Sequence, residues 1–306
     1  MPRPLFGAAP VRVRVPATSA NLGPGFDALG LALTLYDDVV VTVVDAGLHV
    51  DVAGEGVDQV PRSERHLVVR SLRAGFELLG GQPPGVQVVC ANRIPHGRGL
   101  GSSAAAIVAG LVAARALVPG AAEVLDDATL LRRATELEGH PDNVAACLRG
   151  GLSIAWVDET GPRVASPVPD RSLRPVAFVP PTRASTARVR RLLPESVPHL
   201  DAARNAGRAA LLVHALTTAP ELLLAATEDW LHQRYRVSAM PRSAALVSRL
   251  RGSGVPAVIS GGGPTVLAFP PHDLDVDVDL GPYAPRHWIV HELAVDLYGA
   301  QVLPLD

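Results

Sequence analysis

Residues Pro95–Ala106 read PHGRGLGSSAAA: a glycine-rich loop that runs straight into an alanine-rich segment opened by two serines. Glycine lets backbone amides come close to an anion, and the unpaired amides at a helix N-terminus point the positive end of the helix dipole at it. The pattern predicts a strand over Val86–Ala91, then the loop, then a helix over Ser102–Leu117. That helix is apolar almost all round and so belongs in the interior. Ser102 and Ser103 stand where they can cap it or offer a hydroxyl to a phosphate-bound magnesium. The plainer alternative is a strand-to-helix turn whose glycines serve packing only. Against that stands a second polar, glycine-bearing loop in Val11–Leu33, VRVRVPATSANLGPGFDALGLAL, between an alternating strand and another apolar segment. Two loops of this kind read as two walls of one site.

Composition narrows the classes. With 306 residues, 48% hydrophobic and 19% charged, the chain has enough apolar surface for a real core, and its length predicts roughly two domains. A net charge of -2 offers no electrostatic footprint for nucleic acid. The sequence contains no lysine, so all 28 basic residues are arginines. A Walker-type phosphate lysine is thereby excluded, and arginine, whose planar fork suits carboxylate and phosphate oxygens, supplies every fixed side-chain cation. Cys90 and Cys147 lack zinc or CxxC spacing and read as small buried apolar residues. The start, MPRPLFGAAP, has no signal-peptide hydrophobic stretch, and no apolar run approaches membrane-spanning length, which makes a reducing cytoplasm the default expectation. A dinucleotide-binding turn is disfavoured, because Gly97, Gly99 and Gly101 form G-x-G-x-G where that fingerprint needs G-x-G-x-x-G.

Along the chain, Val11–Val15 and Val39–Val44 read as further strands. Helices are expected at Asp126–Glu138 and Asp142–Leu148, and a strand at Gly151–Val157. The proline-rich stretch Asp158–Pro175 is the expected domain boundary. Beyond it come strands at Val176–Val179 and Ala257–Ile259 and helices near Ala202–Leu216, Pro220–Leu231 and Arg242–Arg251. Thr265–Phe269 and Trp288–Val295 complete a second α+β layer. Ser260–Thr265, SGGGPT, sits between two short strands and reads locally as a hairpin loop.

Taken together these segments resemble the GHMP small-molecule kinases, and within them the homoserine kinase branch. Pro95–Ala105 fits the family pattern P-x-x-x-G-L-G-S-S-A-A, Pro16–Asp27 (PATSANLGPGFD) is similar to the branch's first motif, and Ser260–Thr265 to the third motif S-G-x-G-P-T. Gly139–Asn143 (GHPDN), Ser185–Pro194 (STARVRRLLP) and His232–Arg236 (HQRYR) extend the resemblance over nearly the whole chain.

The resemblance implies an α+β, two-domain GHMP kinase fold. Residues 1–165 would form an N-terminal α/β nucleotide-binding domain with the phosphate loop before a buried helix, and residues 166–306 a C-terminal α+β sandwich domain. It implies ATP-dependent phosphorylation of L-homoserine for threonine biosynthesis, with Mg2+ as cofactor, no nucleic-acid or membrane partner, and room for a homodimer. ATP phosphates would lie on Pro95, His96, Gly97, Arg98, Gly99, Leu100, Gly101, Ser102 and Ser103, with Arg98 as an added cation. Homoserine would meet Asn21, Asp27, His140 and Asn143 at its ammonium end and Arg190 and Arg236 at its carboxylate. The neighbours Arg188 and Arg191 stay open as the clamp. Arg234, where the family commonly has proline, puts another cation near it. Glu138, with Ser102 or Ser103, would hold magnesium, Glu136 remaining open; an acidic pair at a helix C-terminus is unfavourable without a cation. Asp142 would act as general base or orient the hydroxyl. A mevalonate- or shikimate-type kinase would share the loop without needing both an ammonium site and a carboxylate clamp. A non-catalytic relative would be expected to lack Glu138 or Asp142.

Overall fold

The computed structural model describes residues 4–184, 186–270 and 279–305. Ser185 of the STARVRRLLP segment lies outside the described residues. In chain order the elements are β1 (Val11–Asn21), β2 (Gly25–Val44), β3 (Gly47–Gly54), α1 (Leu67–Leu78), β4 (Gly85–Asn92), α2 (Ser102–Leu117), α3 (Asp127–Glu138), α4 (Asp142–Arg149), β5 (Leu152–Asp158) and β6 (Gly161–Ala165). They continue with β7 (Val176–Val179), α5 (Thr186–Arg190), α6 (His199–Thr217), α7 (Leu223–Ala226), α8 (Gln233–Arg236), α9 (Pro241–Gly252), β8 (Ala257–Ile259), β9 (Val266–Ala268), β10 (Ile289–Glu292) and β11 (Gln301–Leu303).

These described strands form two sheets. The larger runs β11-β1-β2-β4-β3, with β5 and β6 joined to it through β2; the smaller runs β10-β7-β9-β8. β1 alternates at first, with Val13 and Val15 inside, and is then buried continuously from Val15 to Asn21 as it passes under the site. The long β2 bends away from it through bulges near Pro16 and Ala20. α2 lies behind the sheet against α1. There the helices approach closely enough that a Cβ on Gly110 would sit 2.5 Å from the Val68 carbonyl oxygen, so glycine sets their separation. Cys90 and Cys147 are buried free thiols, as expected.

Several elements match the sequence reading to the residue, among them α2, β7 and β8. The helix expected over Pro220–Leu231 is broken: a 3-10 turn precedes α7, which ends at Ala226. Asp229 then collects the backbone N–H groups of Leu231, His232 and Gln233, which turns the chain instead of continuing the helix. Sequence reasoning passed over β3, α1, β6 and β11. The last of these returns from the far end of the chain to pair with β1, with Val13 opposite Val302.

Candidate active site

The phosphate loop leaves β4 and opens α2 through three glycines in left-handed backbone, Gly97, Gly99 and Gly101, at φ 67°, 81° and 69°. Gly101 is itself the N-cap of α2, and no side chain caps the helix, so its first amides face the cleft. The serines therefore do not cap: Ser103 Oγ donates to Glu138 Oε1 at 2.6 Å. Glycine is required for packing as well as for backbone angle. A Cβ on Gly99 would lie 2.2 Å from the Ser260 carbonyl oxygen, and one on Gly101 would lie 1.9 Å from Thr18 Oγ1. The third motif grips the loop directly. Ser260 Oγ contacts Gly99 O at 2.6 Å and Ser19 Oγ at 2.8 Å, and Thr265 N donates to Arg98 O at 3.2 Å.

A cleft of about 480 Å³ opens beside this loop, lined by Asn21, Asp27, Gly97, Gly99, Gly101, Ser102, Ser103, Glu138, Gly139, His140, Asp142, Asn143, Arg190, Arg236, Gly261 and Gly262. Three motifs far apart in sequence thus share one cavity. Asn21 and Asp27 hold left-handed backbone, at φ 67° and 54°, and Asn21 Oδ1 accepts the Asp27 N–H at 2.9 Å. Non-glycine residues adopt such angles at a cost that persists only where the surroundings enforce it. The Arg190 guanidinium pairs with Asp27 across the cleft mouth, both half exposed. Arg236 is 3% exposed on the cleft wall. On the opposite side α4 begins with Asp142, 1% exposed, whose Oδ1 accepts the Asn143 N–H at 2.8 Å and lies 2.7 Å from His140 Nδ1. That hydrogen bond raises the His140 pKa against the opposing effect of burial. Nδ1 is thereby taken up as the donor to Asp142, and the other ring nitrogen, Nε2, accepts in the neutral ring and donates in the protonated one. Asn143 Oδ1 accepts from Thr18 Oγ1 at 2.8 Å, a β1 hydroxyl that sequence reasoning did not single out. Glu138 ends α3, and burial raises its pKa although Ser103 opposes the shift.

Other expected site residues are placed elsewhere. Arg98 spends its guanidinium on the backbone carbonyls of Pro180, His96 and Pro181, at 2.8, 3.0 and 2.9 Å, so it braces the loop and does not line the cleft. Pro95 and Leu100 are buried below the loop. His96 faces a neighbouring cavity. Glu136 pairs with Arg133 at 2.8 Å on the exposed side of α3, leaving Glu138 as the carboxylate of that pair on the cleft. Of Arg188, Arg190 and Arg191, Arg190 is the one on the cleft wall. Arg234 reaches Asp201 on α6 at 2.6 Å, away from the clamp, which corrects the expectation of an extra cation there.

The neighbouring cavity, about 260 Å³ and mostly apolar, shares Ser102 and Ser103 with the cleft and is lined by Asp37, Val39, His66, Asn92 and His96 among others. His66 Nδ1 is buried there without a partner. Asp37 accepts the Arg93 and Ile94 N–H groups at 2.6 and 2.9 Å, and burial pushes its pKa up to about 6. The motif reading supplied one wall of this second cavity, at His96, Ser102 and Ser103, and missed the other, which comes from β1, β2 and the segment from Val60 to Val68, where no loop signature stands out.

A glycine cradle at the mouth of a buried helix, with a carboxylate and a hydroxyl beside it, is the site of a small-molecule kinase of the GHMP class. The family model for the GHMP kinases N terminal domain matches residues 66–151. Over 305 residues the chain is 63% identical to the homoserine kinase of Streptomyces coelicolor, covering 100% of this chain and 98% of that one. Identity to the homoserine kinase of Clavibacter michiganensis is 53% over 300 residues, 97% and 95% of the two chains. The crystal structure of homoserine kinase from Cytophaga hutchinsonii superposes with a TM-score of 0.83 at 26% identity, covering 96% of this chain and 97% of that one. The chain belongs to the homoserine kinase family.

Proposed function

We propose that the protein transfers the γ-phosphoryl group of ATP to the side-chain hydroxyl of L-homoserine, giving O-phospho-L-homoserine for threonine synthesis. The observation that carries this reading is the Asp27–Arg190 pair facing buried Arg236 beside the phosphate cradle. A site that sets an anion and two cations side by side is complementary to a zwitterion. The substrate ammonium takes Asp27 with Asn21, and the substrate carboxylate takes Arg190 and Arg236. Mevalonate and shikimate carry no ammonium and would leave Asp27 to its arginine alone.

The amides of the α2 N-terminus and the glycine loop hold the nucleotide phosphates, while the neighbouring apolar cavity takes the base and ribose. Magnesium fits the donor set at Glu138 and Ser103, two hard oxygens side by side, with Ser102 next to them. Among the described residues no group of three His, Cys, Asp or Glu side chains is placed to hold a metal alone. That suits an ion that keeps waters and phosphate ligands and takes one carboxylate. When bound, it neutralises charge on the phosphate oxygens. Catalysis then rests mainly on positioning and electrostatics, as a loose phosphoryl-transfer transition state requires. His140 donates toward the transferring group, and Asp142 holds His140 and orients the homoserine hydroxyl.

Residues 1–165 act in this reading as the nucleotide-binding unit and 166–306 as the second unit, with β11 returning to the first sheet. This reading places the enzyme in the cytoplasm. No described helix is long and apolar enough to cross a membrane. A coupled ADP-release assay across homoserine, serine, threonine, mevalonate and shikimate tests the reading. Homoserine should be fastest, with serine poorer because a missing methylene weakens transition-state binding by about 1–3 kcal/mol. Faster turnover of mevalonate than of homoserine would reject the site assignment.

A further inference from the structure

The Arg236 guanidinium is held from one edge. Its Nη1 lies 3.2 Å from His232 Nδ1 and donates to Gly261 O at 3.4 Å, while Nε is buried without a partner. A buried N–H on an always-charged group is costly to leave unmade, so an orphan Nε on a cleft-lining arginine marks where a ligand oxygen belongs.

His232 decides which edge is left free. The ring is fully buried, and Nε2 sits 2.7 Å from the Gly23 carbonyl oxygen in the first motif's turn. A carbonyl can only accept, so Nε2 carries the proton. Nδ1 of the neutral ring is then an acceptor, the one role that suits an arginine N–H, which can only donate. Burial lowers the His232 pKa and favours this neutral form. Asp229 does not compete: it is 3.6 Å from Nε2 and already accepts the backbone N–H groups at the start of α8. Phe26 stacks on the imidazole, with ring centroids 5.0 Å apart, and its ring lies 5.2 Å from the Arg236 guanidinium carbon.

We propose that His232 is a positioning residue: by accepting from Nη1 it turns the Nε–Nη2 edge of Arg236 into a two-toothed fork for the substrate carboxylate, and it ties that fork to the Gly23 turn. This deepens the reading of Arg236 as the carboxylate clamp and rests on it. Arginine binds carboxylates best through two parallel N–H groups, so the orientation of the guanidinium matters as well as its charge.

The test is steady-state kinetics on His232→Ala, His232→Asn and His232→Gln, and on Arg236→Ala with and without His232→Ala. Losing a hydrogen bond to a charged group should raise the homoserine KM by about ten- to a hundredfold in His232→Ala, with the ATP KM and kcat nearly unchanged. Asn places an oxygen acceptor near the Nδ1 position and should recover most of the affinity. Gln keeps only a donor near Nε2 and should not. In the Arg236→Ala background His232→Ala should add nothing. Equal rises in both substrates' KM, a full effect persisting without Arg236, or rescue by Gln and not Asn would each overturn the positioning role. An unchanged homoserine KM in Arg236→Ala would instead overturn the clamp reading on which it stands.

Discussion

Two donors converge on a single oxygen of Asp142: its Oδ1 lies 2.7 Å from His140 Nδ1 and 2.8 Å from the Asn143 backbone nitrogen. The carboxylate is thus held at the first turn of α4 and in turn holds the His140 imidazole through Nδ1. Because the Asp142 hydrogen bond is the largest influence raising the His140 pKa, Asp142→Asn should lower it. The sign follows directly: a base whose raised pKa falls loses its proton at lower pH, so the alkaline decline in kcat should move to lower pH. NMR titration of the His140 ring checks the cause. An orienting Asp142 predicts a kcat loss below about a hundredfold with part of the effect in the homoserine KM. A thousandfold or greater loss in single turnover at saturating homoserine would make Asp142 the base.

Glu138→Ala should depress turnover and weaken its magnesium dependence, with partial recovery at high magnesium. Ser103→Ala should produce a milder version, since it removes the hydroxyl that donates to Glu138. Burial raises the Glu138 pKa, so protons compete with magnesium for this carboxylate and the magnesium concentration needed for half-maximal activity should rise as pH falls. If the magnesium titration curves of Glu138→Ala and the parent coincide, the ligand assignment fails.

Removing one member of a buried charge pair typically costs about 2 to 5 kcal/mol, so Arg236→Ala should raise the homoserine KM far more than the ATP KM. Arg190 is half exposed and screened by water, and its loss should cost less. Asp27→Asn should also weaken homoserine and leave ATP binding intact, as read by calorimetry with a non-hydrolysable nucleotide. Equal homoserine saturation in both arginine variants would remove the clamp.

Gly99→Ala introduces a single methyl group 2.2 Å from the Ser260 carbonyl oxygen. Loop and third motif must then separate, so ATP affinity should collapse and Tm should fall together, which calorimetry and a melt would show. A folded Gly99→Ala protein with parental ATP affinity would mean that the two motifs move independently.

Asp37 titrates near pH 6 in the folded protein, against 3.8 for an ordinary aspartate. A carboxyl whose folded pKa is raised favours folding below the unfolded value and loses that contribution as pH rises from about 4 to 6. Two units correspond to on the order of 3 kcal/mol. Asp37→Asn, which still presents an oxygen to the Arg93 and Ile94 amides, should therefore gain stability relative to the parent as pH climbs through that window and hold the gain above it. A stability difference that stays flat from pH 4 to 7 would show that Asp37 ionises freely.

The local code carried α2, β7 and β8, because an unbroken apolar run or a short valine-rich segment between prolines and glycines allows one conformation at its own length scale. It also carried the cradle: G-x-G-x-G directly before two serines allows three left-handed residues at a helix mouth, and the structure uses all three. It did not carry α1 or β11, whose place is defined by partners, Gly110 of α2 for one and β1 for the other.

Which arginine does what was decided by tertiary structure. Arg98, in the middle of the most informative motif, turns to the carbonyls of Pro180 and Pro181, and Arg234, within HQRYR, turns to Asp201. Arg190 and Arg236, with no more distinctive local sequence, face the cleft. A long flexible side chain has many rotamers of similar energy, and the choice among them is made by whichever acceptor the fold brings within reach. The residues of one chain therefore announced a phosphate cradle by spacing alone. Only packing between segments some 200 positions apart, such as His232 against Gly23, joins the first motif's turn to the helix that carries Arg236.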